Sequence, residues 1–575
     1  MMAQAVSHQQ PKVKAVNVMD IVDARSQEIT SAMEALKTCY AVSQSLTIPF
    51  HMRRRACGYN PKRRPKRLQY DNLPKLEKPK DKKGNKKKKK GVSKGEYVRM
   101  ETHVWHAKRC HMKDMWGYRL AMTTTQKGDR AVHRAVKSAC VLQDTSFYTF
   151  LFLSGNSLHD TLSDVMKPNP CFESCVNRVI RSHLYTKGLE RCIAPVEVFW
   201  QSRDNVMFRV HPASLSDVSA CLSTLQDVKV VSYKDKISQF SLVGVRALEL
   251  FVHALPFYSL ETLPSYTSNI INELKSNPYQ YELSKGAIMD FKVNVPKPEF
   301  QRWNNIAKGN ISQPSVLLHP DKQLNTGVFW EHMTTQSTDL PPVLPSFIYR
   351  DPDTSQLTIV LPSGTGNKLW LKLVYNGGRV IGLNDHRYLI TEEGLPCYPY
   401  DYPDTPAGVT YELTLEAEKR EKQVKRPPQK RNQYERLGIA HPYRPDWSSL
   451  CEGGVRVVRS RGLLTKLSGG EEVEGYDEWL IVVNISSLKR GTVDAGSALY
   501  RPLDTDLITD PSYDSESCSR EIVGWVTSGK YSLSDGAGGG LGLVSVKQWR
   551  SVKGVVLVRR NSSRQFRRVR VEIVL

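Results

Sequence analysis

The sequence predicts an α+β protein: an extended basic N-terminal arm with helices, then a mixed body with a β-rich C-terminus. Three observations carry this. The 575 residues hold 82 Lys+Arg against 58 Asp+Glu, a formal +24, and residues 51–134 alone hold 27 basic and 7 acidic side chains, a net +20. Beyond residue 135 helical and strand-like apolar periods are mixed. From 478 to the end, short alternating apolar runs follow one another, as strands do. Two or three cores are expected at this length. A near-neutral body carrying so basic an arm points to a polyanion, most simply nucleic acid.

In segment 1–48, Val18, Ile21, Val22, Ile29, Met33 and Leu36 recur at three- and four-residue steps, which predicts a helix from about Val18 to Cys39. Its apolar stripe is expected to pack on the body or a partner. Segment 49–98 holds RRRACGYNPKRRPKRL (53–68), with eight basic residues and two prolines in sixteen. It reads as an arm that orders on its ligand. KLEKPKDKKGNKKKKK (75–90) carries ten lysines and is expected to be a disordered tether or address. In segment 99–135, RMETHVWHAKRCHMKDMWGYRLA (99–121) predicts a helix. Val104, Lys108, His111 and Met115 would line one face, Trp105, Arg109, Met112 and Trp116 the next, with Gly117 as C-cap.

A mixed α/β body is expected over 136–345. VEVFW (196–200) and VMFRV (206–210) alternate across a short turn, and a helix-like stretch follows from Ser214 to Leu225. Over 346–411, LTIVLP (357–362), KLWLKLVY (368–375) and RVIGL (379–383) predict three strands, with Gly377-Gly378 as a turn. Segment 412–438 is charged and Pro-interrupted, which suggests a linker or a nucleic-acid-facing stretch. In the β-rich domain 439–575 the strands are EWLIVVNI (478–485), EIVGWVTSG (521–529), GLGLVSV (540–546), GVVLVRR (554–560) and FRRVRVEIVL (566–575).

Several chemistries are weighed and set aside. His103, His106, Cys110 and His111 are zinc-type ligands. No second segment offers matching spacing, and Cys171, Cys175 and His183 match as loosely. SGTGNK (363–368) lacks the full phosphate-loop pattern and is expected to be a β-turn between strands. No nucleophile elbow appears, and Asp401 and Asp404 in YPYDYPDTP (398–406) suggest a rigid packed loop rather than an acid/base couple. Eleven cysteines without a close pair suit a reducing compartment. No run reaches the ~20 apolar residues of a membrane span, and MMAQAVSHQQPK carries no leader-like apolar stretch. The basic arm is the strongest signal. Arginine forks and lysines neutralise phosphates, while Tyr59, Trp105 and Trp116 offer planes to unpaired bases.

PFHMRRRACGYNPKRRPKRL (49–68), ETHVWHAKRCHMKDMWGY (101–118), YNGGRVIGLNDHR (375–387), EEGLPCYPYDYPDTPAG (392–408) and KRPPQKRNQYERLG (425–438) occur in that order. Together they resemble the family of the large processing-of-precursor protein subunit of eukaryotic ribonuclease P and ribonuclease MRP. VGWVTSGKYSLSDGAGGGLGLVSV (523–546) is similar to the end of the glycine-cleavage T-protein (aminomethyltransferase) fold, to which that family's body is distantly related. Fold kinship carries no folate chemistry with it. Gly58-Tyr59 and Cys110 depart from the family's usual Ser-His and aromatic residues.

The resemblance implies a non-catalytic RNA scaffold of a ribonucleoprotein whose RNA matures precursor tRNA 5′ ends or precursor rRNA. Its implied partners are ribonuclease P RNA, ribonuclease MRP RNA and the particles' other protein subunits, with no membrane. No intrinsic cofactor is implied; Mg2+ is expected only at the catalytic RNA, and the location is the nucleus and nucleolus. Implied RNA contacts in the arm are Arg53, Arg54, Arg55, Tyr59, Asn60, Lys62, Arg63, Arg64, Lys66 and Arg67. Further contacts are His103, Trp105, His106, Lys108, Arg109, His111 and Trp116, then Lys425, Arg426, Lys430 and Arg431. Two rivals from other classes are a folate-dependent aminomethyl- or methyl-transferase with a basic localisation tail and a nonspecific nucleic-acid chaperone.

Overall fold

The computed structural model describes residues 17–38 and 97–574, with breaks at 127, 170–171, 173–177, 226, 255–264, 277–280, 295–315, 319–327, 335–342, 472, 490, 504–505, 507–510, 512–519, 551 and 553. The chain divides into two compact units, 1–93 and 94–575. In the first, the expected helix is two, Val18–Ala24 and Ser26–Thr38. The Asn17 side chain caps the former by accepting from the Met19 N–H. The apolar stripe is exposed at Val18, Ile21, Val22, Ile29 and Met33. The arm 53–68 and the lysine run lie outside the described residues.

The second unit is built on two six-stranded sheets and a barrel. In the first sheet the order is Ile288–Asn294, Val343–Arg350, Leu357–Pro362, Ile237–Val243, Val141–Asp144 and Arg379–Val380. In the second it is Met166–Lys167, Val179–Tyr185, Cys192–Ser202, Asn205–Val210, Thr149–Ser154 and Lys229–Ser232. Phe150, Phe199 and Met207 of one sheet meet Phe347, Tyr349 and Val360 of the other in a shared aromatic cluster. Phe240, Leu242, Met289 and Ile359 face the opposite way, onto the helices Ala247–Ala254 and Gly366–Tyr375. Leu151, Leu153 and Val198 cover Leu158–Ser163 and Leu215–Ser223. The layers run helix, sheet, sheet, helix, because each sheet offers two faces to bury.

The closed barrel joins Leu480–Ser487, Gly538–Ser545, Ile522–Tyr531, Ala498–Tyr500, Val555–Arg559 and Phe566–Ile573, the last pairing back on the first. Every strand expected at the C-terminus is present. So are the 196–200 and 206–210 pair, within one antiparallel ladder, and the helix near 215–223.

Five expectations differ. Residues 99–121 do not form one helix: His103–Ala107 is a helical turn and a half, then Cys110–Met115 and Tyr118–Thr124 form a hairpin. Trp116 (φ 52°) and Gly117 (φ 80°) make its two-residue turn, so Gly117 is a hairpin glycine rather than a helix cap. KLWLKLVY is the helix Gly366–Tyr375, with Leu369, Trp370 and Leu373 buried at helical spacing; its alternation is incidental. Of RVIGL only Arg379–Val380 is strand, and Leu383 opens the helix Leu383–Glu392. The supposed linker is the long helix Pro406–Val424. Its exposed face is laced by Glu416–Arg420, Glu418–Lys422 and Glu421–Lys425 pairs four residues apart. The boundary expected at 345/346 cuts the strand Val343–Arg350, so no domain edge falls there.

Candidate nucleic-acid interface

Among the expected RNA-binding segments, residues 97–124 are held by short-range contacts to the rest of the second unit. Val98 bridges to Tyr118, whose buried hydroxyl donates to Asp235 Oδ1 at 2.7 Å. Thr102 Oγ1 donates to buried Asp144. The Trp105 ring meets Trp370 edge-on at 5.6 Å, with His106 lodged 4.7 Å from Trp370. Glu101 is the tightest anchor. Its carboxylate accepts from the Gly364 N–H (2.5 Å), the Asn367 N–H (3.3 Å) and Ser238 Oγ (3.2 Å).

That anchor corrects the reading of SGTGNK. The loop does open a helix, and its free N–H groups and positive dipole end do hold an anion. The anion is the chain's own Glu101. Gly366 is required there, since a Cβ would lie 2.7 Å from Ser238 Oγ and 3.0 Å from Glu101 Oε2.

Each sequence-predicted residue can now be placed. Lys108, Arg109 and His111 are exposed. The Arg109 guanidinium lies 4.6 Å above the Trp105 ring, so one face of that indole is already stacked and its other side is packed on the core. His106 is a correction: at 1% exposure, with Nδ1 3.1 Å from the Thr102 carbonyl, it offers nothing to a ligand. Burial holds its pKa below the usual histidine value although Asp144 pulls the other way. His103 is half-buried, and burial with the nearby Arg99 and Arg119 charges likewise lowers its pKa. Trp116 is a second correction. Its ring packs against His211 at 4.4 Å, among Phe147 and Tyr400, rather than facing outward as a stacking plane.

Farther along, Lys425, Arg426, Lys430 and Arg431 cluster just past the helix Pro406–Val424. Arg431 donates to the Val424 and Arg426 carbonyls (2.8 and 2.9 Å), closing the helix end. Lys425 pairs with Glu421, while Arg426 and Lys430 are exposed. Arg53, Arg54, Arg55, Tyr59, Asn60, Lys62, Arg63, Arg64, Lys66 and Arg67 fall outside the described residues.

The zinc-type residues diverge: His106 points inward while His111 is exposed on the following strand. Among the described residues no group of three or more His, Cys, Asp or Glu is poised around a metal. None of the helices among them is long and apolar enough to cross a membrane. Cys110, Cys140, Cys192, Cys221, Cys397 and Cys451 are free thiols. Asp401 and Asp404 are spent structurally, as the loop reading expected. Asp401 accepts from the Cys397 N–H and Ser528 Oγ, and Asp404 takes both arms of Arg459 at 2.6 and 2.7 Å.

Between the sheets lies a cavity of about 90 Å3, walled by Arg181, Glu197, Arg209, Asp351 and His386 with Tyr148, Tyr400 and Trp116. Its charges are paired: Arg209 to Glu197 (2.9 Å) and Arg181 to Asp351 (2.6 Å). Small-molecule pockets run to ~300–1,000 Å3, so this one is the size of a few waters rather than of a cofactor.

The geometry thus defines a basic, aromatic-backed surface segment on an α/β body without a visible catalytic constellation among its described residues. Comparison with known proteins agrees in order and extent. The model "Ribonucleases P/MRP protein subunit POP1, N-terminal" matches 21–101 and 72–156, the POPLD (NUC188) domain 356–447, and the POP1 C-terminal domain 509–575. The chain belongs to the POP1 family. It is 23% identical to the ribonucleases P/MRP protein subunit pop1 of Schizosaccharomyces pombe, covering 81% of this chain and 72% of that one. It is 23% identical to popl-1 of Caenorhabditis elegans (86% and 76%) and 22% to POP1 of Homo sapiens (76% and 60%). Among solved structures it is similar to aminomethyltransferase T of the glycine cleavage system from Bartonella henselae. That match has TM-score 0.47 and 16% identity, over 83% of this chain and 96% of that one.

Proposed function

We propose that this chain is an RNA-binding scaffold subunit of the ribonuclease P and ribonuclease MRP ribonucleoproteins. The ordered match of three POP1 models, with relatives named as ribonucleases P/MRP protein subunits, carries the reading. The chain braces ribonuclease P RNA and ribonuclease MRP RNA alongside the particles' other proteins. The RNA performs the cleavage that matures tRNA 5′ ends and precursor rRNA, and Mg2+ sits at the RNA. The protein contributes no reacting group, and its place is the nucleus and nucleolus. The concentration of +20 in residues 51–134 supports binding through phosphate neutralisation. No observation favours the folate-transferase reading.

Purification at stringent salt followed by sequencing of the bound nucleic acid tests this. One abundant structured RNA is expected; mixed RNA indicates a nonspecific chaperone, and tetrahydrofolate turnover by the isolated chain restores the transferase. If about eight arm cations meet phosphates, log K falls against log salt with a slope of roughly −6 to −7. Replacing Arg53, Arg54 and Arg55 with alanine should make the slope shallower by about 2 to 3, with the body's melting unchanged. Wild-type affinity and slope in that variant would remove the arm from the account.

A further inference from the structure

We propose that Arg99, Lys108, Arg109, Lys234, Lys236 and Lys368 form one docking surface for the RNA phosphate backbone, assembled by the seating of Glu101 on the 363–367 loop. This rests on the RNA-scaffold reading and extends it from the arm to the body. Lys234, Lys236 and Lys368 belong to no basic run in the sequence, so only folding makes them neighbours of the 99–109 segment.

The contacts that gather them are short. Glu101 joins the segment to Gly364, Asn367 and Ser238. Ser363 donates its N–H to the Lys236 carbonyl at 2.9 Å, tying the 233–236 turn to the same loop. The Lys234 ammonium lies 5.9 Å from the Tyr118 ring, and Tyr118 in turn holds Asp235. Lys368 is on the first turn of the helix whose Trp370 receives Trp105. Arg99 lies close enough to His103 to lower its pKa.

The charges within the patch are unbalanced. All six cations are exposed, and among the described residues none pairs with a carboxylate. On the adjoining hairpin, by contrast, Lys113 pairs with Glu418 and Arg119 with Asp114. The two acids nearest the patch are already engaged, Glu101 by backbone N–H groups and Asp235 by the Tyr118 hydroxyl. A surface that consumes its own anions and leaves its cations open is complementary to a polyanion. Its cations come from separate elements and are spread out, as a ligand with one charge per nucleotide requires.

The test uses the full chain and a ribonuclease P RNA transcript, titrated from 50 to 300 mM salt. Lys234→Ala/Lys236→Ala/Lys368→Ala should bind about tenfold more weakly at 150 mM, with a slope shallower by about 2 to 3. Its melting temperature should stay that of the wild type, because the three side chains are exposed. Glu101→Gln should weaken binding through loosened docking, read as faster amide exchange at residues 97–109. Wild-type affinity and slope in the triple variant, with the Arg53/Arg54/Arg55 variant weakened, overturns this surface and leaves the scaffold reading standing. A wild-type chain that does not bind the transcript overturns both. Displacement of the RNA by polyglutamate that is lost in the triple variant, at matched ionic strength, assigns the surface to an acidic protein and overturns it too.

Discussion

The inside of the barrel is filled by aliphatic side chains, whereas between the two sheets a buried charge network lies beside the aromatic cluster. In the barrel, Ile481, Val483, Ile485, Val544, Val556, Val558, Val569 and Val571 are at most 2% exposed and entirely aliphatic. Between the sheets, Arg209 and Glu197 are 4% and 7% exposed, with Asp351, Gln143, Gln239, Ser241 and Thr358 around them. Arg209 donates to Gln239 (2.7 Å) and Glu197 (2.9 Å) and lies 3.8 Å from the Tyr148 ring. Burial would raise the Asp351 pKa, but Arg181 and the Thr354 and Asp353 N–H groups hold it below the usual carboxylate value. The contribution of these barrel side chains therefore follows apolar area. The body's stability depends on each charge keeping its partner, since a buried charge stripped of its partner is costly while the intact pair adds little net.

The largest expected effect follows from that asymmetry. Glu197 serves Arg209, Arg181 and the Tyr349 hydroxyl together. Glu197→Ala should lower the stability of the body by ~3–5 kcal/mol, the usual cost of an orphaned buried charge, read from the urea midpoint. A loss under about 1 kcal/mol, the scale of an exposed pair, would show that the interior tolerates unpaired charge and would dissolve the contrast.

Acid should act on the same region next. Burial, then the Arg209 charge, lowers His211 to about 3, and burial lowers His386 to about 4. Unfolded, both rings titrate near 6.5. Between that value and the folded pKa the unfolded state holds more protons, so stability falls as pH falls. The loss is about 1.4 kcal/mol per pH unit for each ring, or about 2 kcal/mol for His211 between pH 7 and pH 5. Urea melts at the two pH values should show it, and His211→Asn should remove its share; a pH-independent midpoint would contradict the assignment.

The same contrast explains what the sequence could tell. The strands Leu480–Ser487 and Phe566–Ile573 were readable because one face is buried and the other more open, so alternation reports burial directly. Ile237–Val243 is buried throughout although ISQFSLV does not alternate regularly, because Gln239 meets Arg209 of the other sheet while Phe240 and Leu242 face the helices, so no simple period marks it. The helix Gly366–Tyr375 imitated a strand, and Pro406–Val424 hid because only Ala407 and Gly408 are buried in it. In the 99–121 segment residue type was informative and placement was not. Trp105, His106 and Trp116 have the composition of a base-stacking surface but supply the packing that holds Lys108 and Arg109 in place. Glu101 carried no pattern at all, since its partners are two backbone N–H groups more than 260 residues away and the Ser238 hydroxyl 137 residues away, and a sequence motif does not encode them.

The smallest effect sharpens the barrel side. Ile485 Cδ1 fills the space over Gly542, where a Cβ would come within 2.8 Å of it, and the same glycine would crowd the Trp525 carbonyl at 2.9 Å. The two strands are paired neighbours, so their backbones hold that gap open. Ile485→Val removes this one methyl and leaves a void the strands cannot close, for a cost of ~0.5–1.5 kcal/mol. Because no titratable group borders the loss, the decrement should be the same at pH 7 and pH 5 when the variant and wild type are melted side by side. A decrement that grew with acid would mean that the barrel shares the body's electrostatic balance, and the two interiors would then unfold as one unit with one pH dependence.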